Sequence, residues 1–440
     1  MKEFKLVIIG GGSSYTPELA GGLISRWKQG EFLAREIVLV DIPQGQKRLE
    51  TVSAFIQRMV QKAGMPARIT STTNRQEALD GASFVVSQMR VGGMKARSMD
   101  EHLPLKYGVI GQETTGPGGF ANALRTIPVS LELAQDIVRI CPKAWLLNFT
   151  NPSGLVTEAL LRYSDVNTFG LCNVPIGIKM ALAKALLASP ERVSIDVSGL
   201  NHLSFVTGVY LDGKDVSDQV FGSPLFPLYL DQTGIGKIMA PYLQHLKIIP
   251  SSYLQYYWGK NRALEKEKKD VEAGKGTRAD EVMKIEKELF EMYADPRVDE
   301  MPPQLKKRGG AYYSDVALNS ISAMVNDRPV VEALNVKNKG AVPGIQPDAV
   351  VEVSCMVDGR GPSPIAQKPL PPEVLGLVQK VKAYESLTVE AAVHGDVQKA
   401  FFALLNHPLV PDADTAASIL KDILAENAEF LPQFKGKTEV

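Results

Sequence analysis

A cysteine and a histidine thirty residues apart are the side chains with the clearest chemical potential in this chain. Cys172 lies in the apolar run Thr168–Val174, and Asn173 follows it directly; His202 lies in the segment Gly199–Leu203. A thiolate and an imidazole can share a divalent metal ion, but two ligands alone do not define a site of fixed geometry. Spacing alone therefore favours the alternative, a buried thiol and a hydrogen-bonded histidine in the core.

The start of the chain holds a second candidate site, a glycine turn suited to a dinucleotide. The apolar run Phe4–Ile9 leads into three glycines, two serines and Tyr15, and a helical pattern follows over Pro17–Trp27. Glycines at such a junction let the backbone approach a pyrophosphate, and the helix N-terminus offers free N–H donors. Because Tyr15 replaces the usual third glycine of the motif, the turn alone is a weak signal.

An acidic residue after the next apolar run strengthens the prediction. Asp41 ends Ile37–Val40, where a carboxylate accepts hydrogen bonds from the adenosine ribose and disfavours the extra phosphate of NADP. Its alternative role is to cap the turn over residues 41–46. The turn, the order of the elements and the carboxylate together predict an NAD site. The expected cofactor contacts are Gly10, Gly12, Ser13, Ser14 and Asp41.

The elements that must position these residues alternate between short apolar runs and amphipathic helices. The expected strands are Phe4–Ile9, Ile37–Val40, Phe84–Ser87, Ala144–Phe149 and Thr168–Val174, and Gln46–Lys62 has apolar residues at helical spacing. Such alternation predicts an α/β fold with a parallel, doubly wound sheet of the Rossmann type.

Beyond residue 190 the pattern changes to α+β. Val193–Val197, Leu203–Leu211 and Val350–Val357 are predicted strands, and Pro371–Ala425 is a predicted helical layer. The charged segment Lys260–Tyr293 predicts a solvated helical hairpin or one long exposed helix. We therefore predict an NAD-binding domain over 1–190 and a substrate-binding and oligomerisation domain over 191–440.

Composition excludes several classes of function. The 440 residues carry 49 basic and 49 acidic side chains, so no basic excess indicates a nucleic-acid binder. No apolar run approaches the ~18 residues of a membrane-spanning helix, and the first is too short for a signal peptide. Cys141, Cys172 and Cys355 are an odd number of cysteines, so we expect no disulfide scaffold and a cytoplasmic protein without membrane or nucleic-acid partners.

Several motifs, taken in order, make the chain recognisable over nearly its whole length. They are Gly10–Ser13, Gly92–Arg97, Gly111–Gly119, Asn148–Pro152, Cys172–Pro175, Asn201-His202, Tyr253–Tyr257 and Thr277–Ala279. Each is weak alone, but in this order and spread the chain resembles the family 4 glycoside hydrolases. That family comprises NAD- and manganese-dependent 6-phospho-glycosidases, and its fold resembles that of lactate and malate dehydrogenases.

The resemblance implies a redox route to hydrolysis, unlike the carboxylate pair of most glycosidases. NAD oxidises the hydroxyl at sugar carbon 3, which acidifies the proton on carbon 2. A base removes that proton, the glycosidic oxygen leaves carbon 1, water adds, and the hydride returns. The expected cofactors are therefore NAD and Mn²⁺ or another divalent metal, and the expected substrate is a small phosphosugar.

The same resemblance assigns roles to individual residues. Cys172 and His202 match the metal ligands, with substrate oxygens completing the coordination, and Tyr253 matches the base. A tyrosine needs its pKa lowered by a metal or cation to accept a proton at neutral pH. Tyr256 and Tyr257 follow closely, so the alternative is that all three pack as a wall.

Three further residues match positions that contact the substrate. Arg97 and Arg278 suit the 6-phosphate because a guanidinium forks onto phosphate oxygens. Asn151 suits a sugar hydroxyl, and its alternative role is to cap the helix that starts near Pro152. All three are expected at the site.

Asn173 discriminates within the family. Members acting on 6-phospho-α-glucosides tend to carry an aspartate there, which can protonate the leaving oxygen, whereas Asn173 matches members acting on 6-phospho-β-glucosides. The resemblance thus implies a 6-phospho-β-glucosidase, acting as a homodimer or homotetramer. The alternatives are a 6-phospho-α-glucosidase or galactose-specific relative, and a 2-hydroxy acid dehydrogenase of the lactate/malate type.

Overall fold

The computed structural model describes residues 1–232, 235, 238–309 and 312–437. In chain order the strands are β1 (Lys2–Ile9), β2 (Phe32–Val40), β3 (Arg68–Thr72), β4 (Phe84–Ser87), β5 (Trp145–Asn148), β6 (Asn167–Gly170), β7 (Val193–Leu200), β8 (Leu203–Leu211), β9 (Lys214–Asp215), β10 (Ile249–Pro250), β11 (Val330–Lys337), β12 (Val350–Asp358) and β13 (Gly361–Pro364).

The helices begin and end as follows: α1 (Thr16–Lys28), α2 (Gln46–Ala63), α3 (Arg75–Leu79), α4 (Gly93–His102), α5 (Gly116–Ile140), α6 (Ser153–Tyr163), α7 (Asn173–Ala185), α8 (Ser217–Phe221), α9 (Phe226–Gln232), α10 (Ala240–His245), α11 (Leu254–Trp258), α12 (Lys260–Glu272), α13 (Arg278–Ala294), α14 (Tyr313–Asn326), α15 (Pro372–His394), α16 (Val397–Asn406) and α17 (Ala413–Glu426).

The first half forms the predicted parallel sheet. Its strands lie in the order β6-β5-β4-β1-β2-β3, and each neighbouring pair is parallel. The inner strands β1, β4 and β5 are largely apolar because helices cover both faces of the sheet, and Leu6, Val7 and Ile8 in β1 are all buried. This is the doubly wound dinucleotide-binding arrangement, and the predicted fold class is confirmed.

The second half joins that same sheet. Strand β11 lies antiparallel to β6, and β12 and β13 extend the sheet further. A smaller antiparallel sheet, with the order β10-β8-β7 and β9 beside β8, packs next to it. The Ser354 hydroxyl on β12 joins the two sheets, since it donates to the carbonyl of Ile195 (3.0 Å) and accepts from the N–H of Val197 (2.9 Å).

Two predicted elements have different bounds from those expected. The apolar run Thr168–Val174 is a strand only as far as Gly170, and helix α7 begins at Asn173. The charged segment is a helical hairpin, as one alternative predicted, but only its first helix is free of buried residues. Helix α12 buries no residue, whereas α13 packs against α2 and α4 and completely buries Tyr293.

No disulfide bond joins the three cysteines, all of which lie in the described part of the chain. Cys141, Cys172 and Cys355 are all free thiols in buried positions. Among the described residues, no helix combines the length and the apolar character needed to cross a membrane.

Candidate functional site

The candidate site lies at the carboxyl ends of the parallel strands. The glycine turn follows β1, Asp41 follows β2, Asn151 lies just beyond β5, and Cys172 lies just beyond β6. In parallel sheets these ends share one edge, and ligands of doubly wound folds bind there.

The glycine turn is tightly closed onto the second strand. Gly10 has a φ of +80°, and the N–H groups of Gly10 and Gly11 both donate to the carbonyl of Val40, at 2.9 and 2.8 Å. A Cβ atom at Gly10 would lie 2.9 Å from the carbonyl oxygen of Gln88, and one at Gly12 would lie 2.8 Å from Asp41 Oδ2. The turn therefore requires glycine at both positions, and its lack of side chains lets a pyrophosphate approach the backbone closely.

Asp41 is bound to this turn. Its Oδ2 accepts from the N–H of Gly12 at 2.8 Å, and its Oδ1 accepts from the N–H of Ile42 at 2.9 Å. A carboxylate has about four acceptor positions, so two are left for ribose hydroxyls. Asp41 also serves the alternative role, since the N–H of Ile42 belongs to the turn over residues 41–46.

The two serines of the turn differ in accessibility. Ser13 Oγ accepts from the N–H of Tyr15 at 3.2 Å. Ser14 is fully buried, and its hydroxyl donates to Glu286 Oε1 (2.8 Å) and accepts from Arg308 Nε (2.6 Å). The only hydroxyl proton of Ser14 is thus used within the protein, which leaves it no donor for a phosphate.

Cys172 caps a helix instead of ending a strand. It is the N-cap residue of α7, where its Sγ accepts from the N–H of Val174 at 3.5 Å, and Asn173 is the first helical residue. Burial raises the pKa of the Cys172 thiol well above its ordinary value, and the neighbouring Glu352 carboxylate raises it further. The apolar continuation of the β6 sequence hid this helix start, since periodicity does not distinguish a buried strand end from a buried cap.

His202 lies at the tip of the hairpin that joins β7 to β8. Its φ of +63° is left-handed, its side chain is buried, and its Nδ1 atom has no hydrogen-bond partner among the described residues. Burial lowers the pKa of the imidazole to about 4, so the ring is neutral and its lone pair is available at neutral pH. The alternative of a hydrogen-bonded core histidine does not hold at Nδ1.

A soft thiol and an unpartnered imidazole nitrogen suit a divalent metal whose other ligands come from elsewhere. Within the described part of the chain, no group of three or more His, Cys, Asp and Glu side chains could hold such an ion. The donor set fits a metal that is completed by oxygens of a bound sugar.

Tyr253 is stacked on His202. It follows β10, which pairs with β8, and its ring lies 4.0 Å from the imidazole with an angle of 4° between the planes. It also makes a hydrogen bond with Thr114. Burial, Tyr256 and Glu113 raise the pKa of Tyr253, so the protein alone does not supply the lowered pKa that a base requires.

The other two tyrosines contact the same loop. Tyr256 makes a hydrogen bond with Gln112, and burial raises its pKa to about 12; Tyr257 makes one with Thr115. The three tyrosines therefore line the segment before α5, and Tyr253 is the one that lies on His202.

Arg97 belongs to a buried cluster of charges. Its Nε donates to Glu101 Oε1 at 2.9 Å, and another of its nitrogens lies 3.1 Å from Glu113. Arg90 forms an ion pair with the other oxygen of Glu113. Against the effect of burial, the two guanidinium groups lower the pKa of the Glu113 carboxyl, so Glu113 is a fixed negative charge close to His202 and Tyr253.

Arg308 completes what we call the arginine cluster, Arg90, Arg97 and Arg308. Burial lowers the pKa of Arg308, and the positive charges of Arg90 and Arg97 act in the same direction. Sequence reasoning missed Arg90, Glu113 and Arg308. Glu113 stood inside a recognised motif and was detectable as its one acidic residue, whereas nothing local indicates Arg308.

Arg278 is placed outside this cluster. It is exposed, donates to the carbonyls of Lys307 (3.1 Å) and Arg308 (3.0 Å), and pairs with Glu281. One carboxylate links its helix to Arg97, since Glu101 Oε2 accepts from the N–H of residue 279 at 2.7 Å. The two predicted phosphate contacts thus lie on neighbouring elements without converging.

Asn151 precedes a cis peptide bond to Pro152. Its Oδ1 atom is buried and has no hydrogen-bond partner among the described residues. The alternative capping role is wrong, because Pro152 is the N-cap residue of α6 and no side chain caps that helix. A buried and unpartnered amide oxygen fits a ligand hydroxyl.

Comparison with known proteins shows to which family this chain belongs. The model of family 4 glycosyl hydrolases matches residues 5–188, and the model of the family's C-terminal domain matches residues 197–410. The chain therefore belongs to family 4 of the glycosyl hydrolases, as its motifs predicted. The predicted boundary at residue 190 lies between the two matched ranges.

Two individual relatives show how similar the chain is to 6-phospho-β-glucosidases. A probable 6-phospho-β-glucosidase of Bacillus subtilis is 50% identical over 442 residues, covering 100% of this chain and 99% of the relative. The 6-phospho-β-glucosidase of Thermotoga maritima, solved with manganese, NAD⁺ and glucose-6-phosphate, has a TM-score of 0.87 at 34% identity, covering 98% of this chain and 99% of that one.

A more distant structure shows the fold alone. The malate dehydrogenase of Cryptosporidium parvum has a TM-score of 0.53 at 16% identity, and the match covers 89% of this chain and 99% of that one. The predicted likeness to lactate and malate dehydrogenases is thus confirmed at the level of the fold.

Proposed function

We propose that this chain is a 6-phospho-β-glucosidase that uses NAD and a divalent metal, preferably Mn²⁺, to release glucose 6-phosphate. The observation that carries the proposal is the convergence at one sheet edge of an unpartnered imidazole, a helix-capping thiol and a tyrosine ring stacked on that imidazole. When bound, NAD would supply reversible hydride acceptance, and the metal would supply Lewis-acid stabilisation of negative charge on the sugar oxygens.

The chain's own residues perform the remaining tasks. Cys172 and His202 hold the metal, and Tyr253 accepts the carbon 2 proton at its phenolic oxygen. Arg97 supports that transfer, because its guanidinium interacts electrostatically with Tyr253. The neutral His202 ring leaves its lone pair available to the ion.

The proposed substrate contacts lie around the carboxyl ends of the parallel strands. Asn151 offers its buried amide oxygen to a sugar hydroxyl. Arg97 and Arg278 are the proposed contacts of the 6-phosphate; Arg97 is buried on α4 and Arg278 is exposed on α13, so binding of one phosphate by both requires Arg278 to leave its present partners. The proposed contacts of NAD are Gly10, Gly12, Ser13, Ser14 and Asp41. Ser14 acts indirectly, because its hydroxyl group holds the glycine turn in place.

The β-anomer is the proposed substrate because Asn173 matches the residue of family members that act on 6-phospho-β-glucosides; Asn173 occupies the first turn of α7, next to Cys172. An amide cannot protonate a leaving oxygen, so departure depends on water or on a good leaving group. We further propose a homodimer or homotetramer located in the cytoplasm.

The test is hydrolysis of p-nitrophenyl 6-phospho-β-glucoside, with and without NAD and Mn²⁺. We expect activity only with both, none on the unphosphorylated glucoside, and no net accumulation of NADH. Faster cleavage of the α-anomer would assign the α-specific alternative, and stoichiometric NADH formation from a 2-hydroxy acid would assign a dehydrogenase.

A further inference from the structure

Glu352 on β12 is a carboxylate that is completely buried beside the two proposed metal ligands. Its Oε1 accepts from Asn201 Nδ2 at 3.1 Å, and its Oε2 accepts from Ser204 Oγ at 2.6 Å. Asn201 directly precedes His202, and Ser204 follows it by two residues. The carboxylate thus holds both sides of the turn that carries His202.

The same carboxylate contacts the other proposed ligand. The Cys172 thiol lies beside Glu352 and Asn201, close enough for both to affect its pKa. Asn335 Nδ2 adds a long hydrogen bond to Oε1 at 3.4 Å. Three side chains thus donate to the carboxyl group of Glu352, and the Cys172 thiol is its fourth neighbour.

Packing of the two sheets does not explain this residue. Ser354, two positions along β12, already joins β12 to β7 through hydrogen bonds with Ile195 and Val197. Burying a carboxylate costs free energy unless it is well hydrogen-bonded, so an apolar side chain would serve packing alone better. The partners of Glu352 instead belong to the segments that present Cys172 and His202.

The conformation of His202 also needs support. Its φ of +63° is uncommon for a residue with a side chain, and such conformations persist when the surroundings fix them. Asn201 and Ser204 supply that fixation, since both donate to Glu352. Asn201 Oδ1 also accepts from the N–H of Gly154 at 3.3 Å, which ties the turn to the segment after Asn151.

We propose that Glu352 is a positioning residue that holds Cys172 and His202 in the arrangement required to bind the metal. The inference rests on the proposed function, because it assumes that these two residues are the ligands. Outer residues of this kind typically change metal affinity about 10- to 100-fold when replaced.

The test compares Glu352→Gln with the matched control Glu332→Gln. Glutamine keeps the size but replaces one carboxyl oxygen with an NH₂ group, which cannot accept a hydrogen bond, so at least one of the three donors loses its partner. Glu332, also buried, lies on the neighbouring strand β11, where it accepts from Asn319 Nδ2 at 2.6 Å. Free Mn²⁺ is measured by electron paramagnetic resonance, with NAD and glucose 6-phosphate present.

We expect the Mn²⁺ dissociation constant of Glu352→Gln to rise about 10- to 100-fold, while that of Glu332→Gln stays within about twofold of wild type. Saturating Mn²⁺ should restore most of the turnover rate of Glu352→Gln, because the variant retains both ligands and the base. A merely structural role would lower the melting temperature and leave the metal affinity unchanged.

Ser204→Ala covers the case in which Glu352→Gln does not fold. It removes one hydrogen bond to the carboxylate and should weaken Mn²⁺ binding about 3- to 10-fold. Unchanged Mn²⁺ affinity in whichever of the two variants folds overturns the proposal. Cys172→Ser is measured in parallel: if it too binds Mn²⁺ normally, the proposed metal centre is wrong, and if it alone loses the metal, only the role of Glu352 is wrong.

Discussion

Replacing Tyr253 with phenylalanine separates catalysis by a base from simple packing of an aromatic wall. The substitution removes the phenolic oxygen and keeps the ring that lies 4.0 Å from the imidazole of His202. The stack, and with it the orientation of the proposed metal ligand, should therefore survive. The one interaction lost is the hydrogen bond with Thr114, which contributes about 0.5–1.5 kcal/mol to stability.

The expected loss of activity is much larger than that. Removal of a general base typically lowers the rate by about 10²–10⁴-fold. At about 1.4 kcal/mol per factor of ten, this corresponds to about 3–5 kcal/mol of transition-state stabilisation. A loss of tenfold or less, by contrast, is what a missing hydrogen bond explains.

The assay follows the carbon 2 hydrogen. Glucose 6-phosphate formed by the wild type in D₂O should carry deuterium at carbon 2, because the proton is removed and replaced in each turnover. A substrate deuterated at carbon 2 should react more slowly if that step limits the rate. A carboxylate-pair glycosidase leaves this bond intact.

Tyr256→Phe is the matched control. Tyr256 lies three residues away and makes the same kind of hydrogen bond, with Gln112, but its ring is not stacked on His202. We expect it to retain activity within about tenfold of wild type. Wild-type product without deuterium would refute the redox mechanism, and a fully active Tyr253→Phe would transfer the role of the base to Tyr256 or Tyr257.

Three further substitutions test the other parts of the site. Cys172→Ser should abolish Mn²⁺-dependent activity while NAD binding stays nearly intact, and full activity in the presence of a chelator would contradict the metal assignment. Arg278→Ala should raise the Michaelis constant for phosphorylated substrate by roughly 30-fold to several hundredfold, about 2–4 kcal/mol; an unchanged preference for phosphorylated over free glucosides would place the phosphate elsewhere. Asp41→Ala should weaken NAD binding by about 10- to 100-fold in a fluorescence titration, and equal weakening of NADP would show that Asp41 only supports the turn.

The sequence predicts best what is local in the chain. The glycine turn, the first two strands and Asp41 lie within 41 residues, and their contacts follow from one strand–turn–helix unit. Asn151 and Cys172 lie at one edge because each follows a strand of the same parallel sheet. The helix start after Cys172 was missed, since the apolar residues of β6 continue past the strand end.

Contacts between distant segments were beyond local reasoning. The stack of Tyr253 on His202 depends on β10 pairing with β8, and nothing in either segment's composition encodes that register. Arg308 reaches Ser14 from 294 residues away, and Glu352 reaches Asn201 from 151 residues away. Such side chains become identifiable only when the topology has brought them together.

The continuity of the nine-stranded sheet explains how the two halves of the chain can share one reaction centre. Strand β11 from the second half lies directly beside β6, the strand that leads to Cys172, and β12 carries Glu352 next to it. The nucleotide turn and Cys172 are therefore fixed on one continuous sheet, and the turn of the smaller sheet that carries His202 is tied to it by the hydrogen bonds of Asn201 and Ser204 with Glu352. Catalysis with a bound cofactor requires that the reacting groups be held close to a productive geometry, and a framework joined in this way suits that requirement. The predicted boundary at residue 190 separates the NAD-binding part of the sequence from the proposed substrate-binding part. The arrangement of the site nevertheless depends on hydrogen bonds between the two parts, such as the pairing of β6 with β11 and the bond from Gly154 to Asn201.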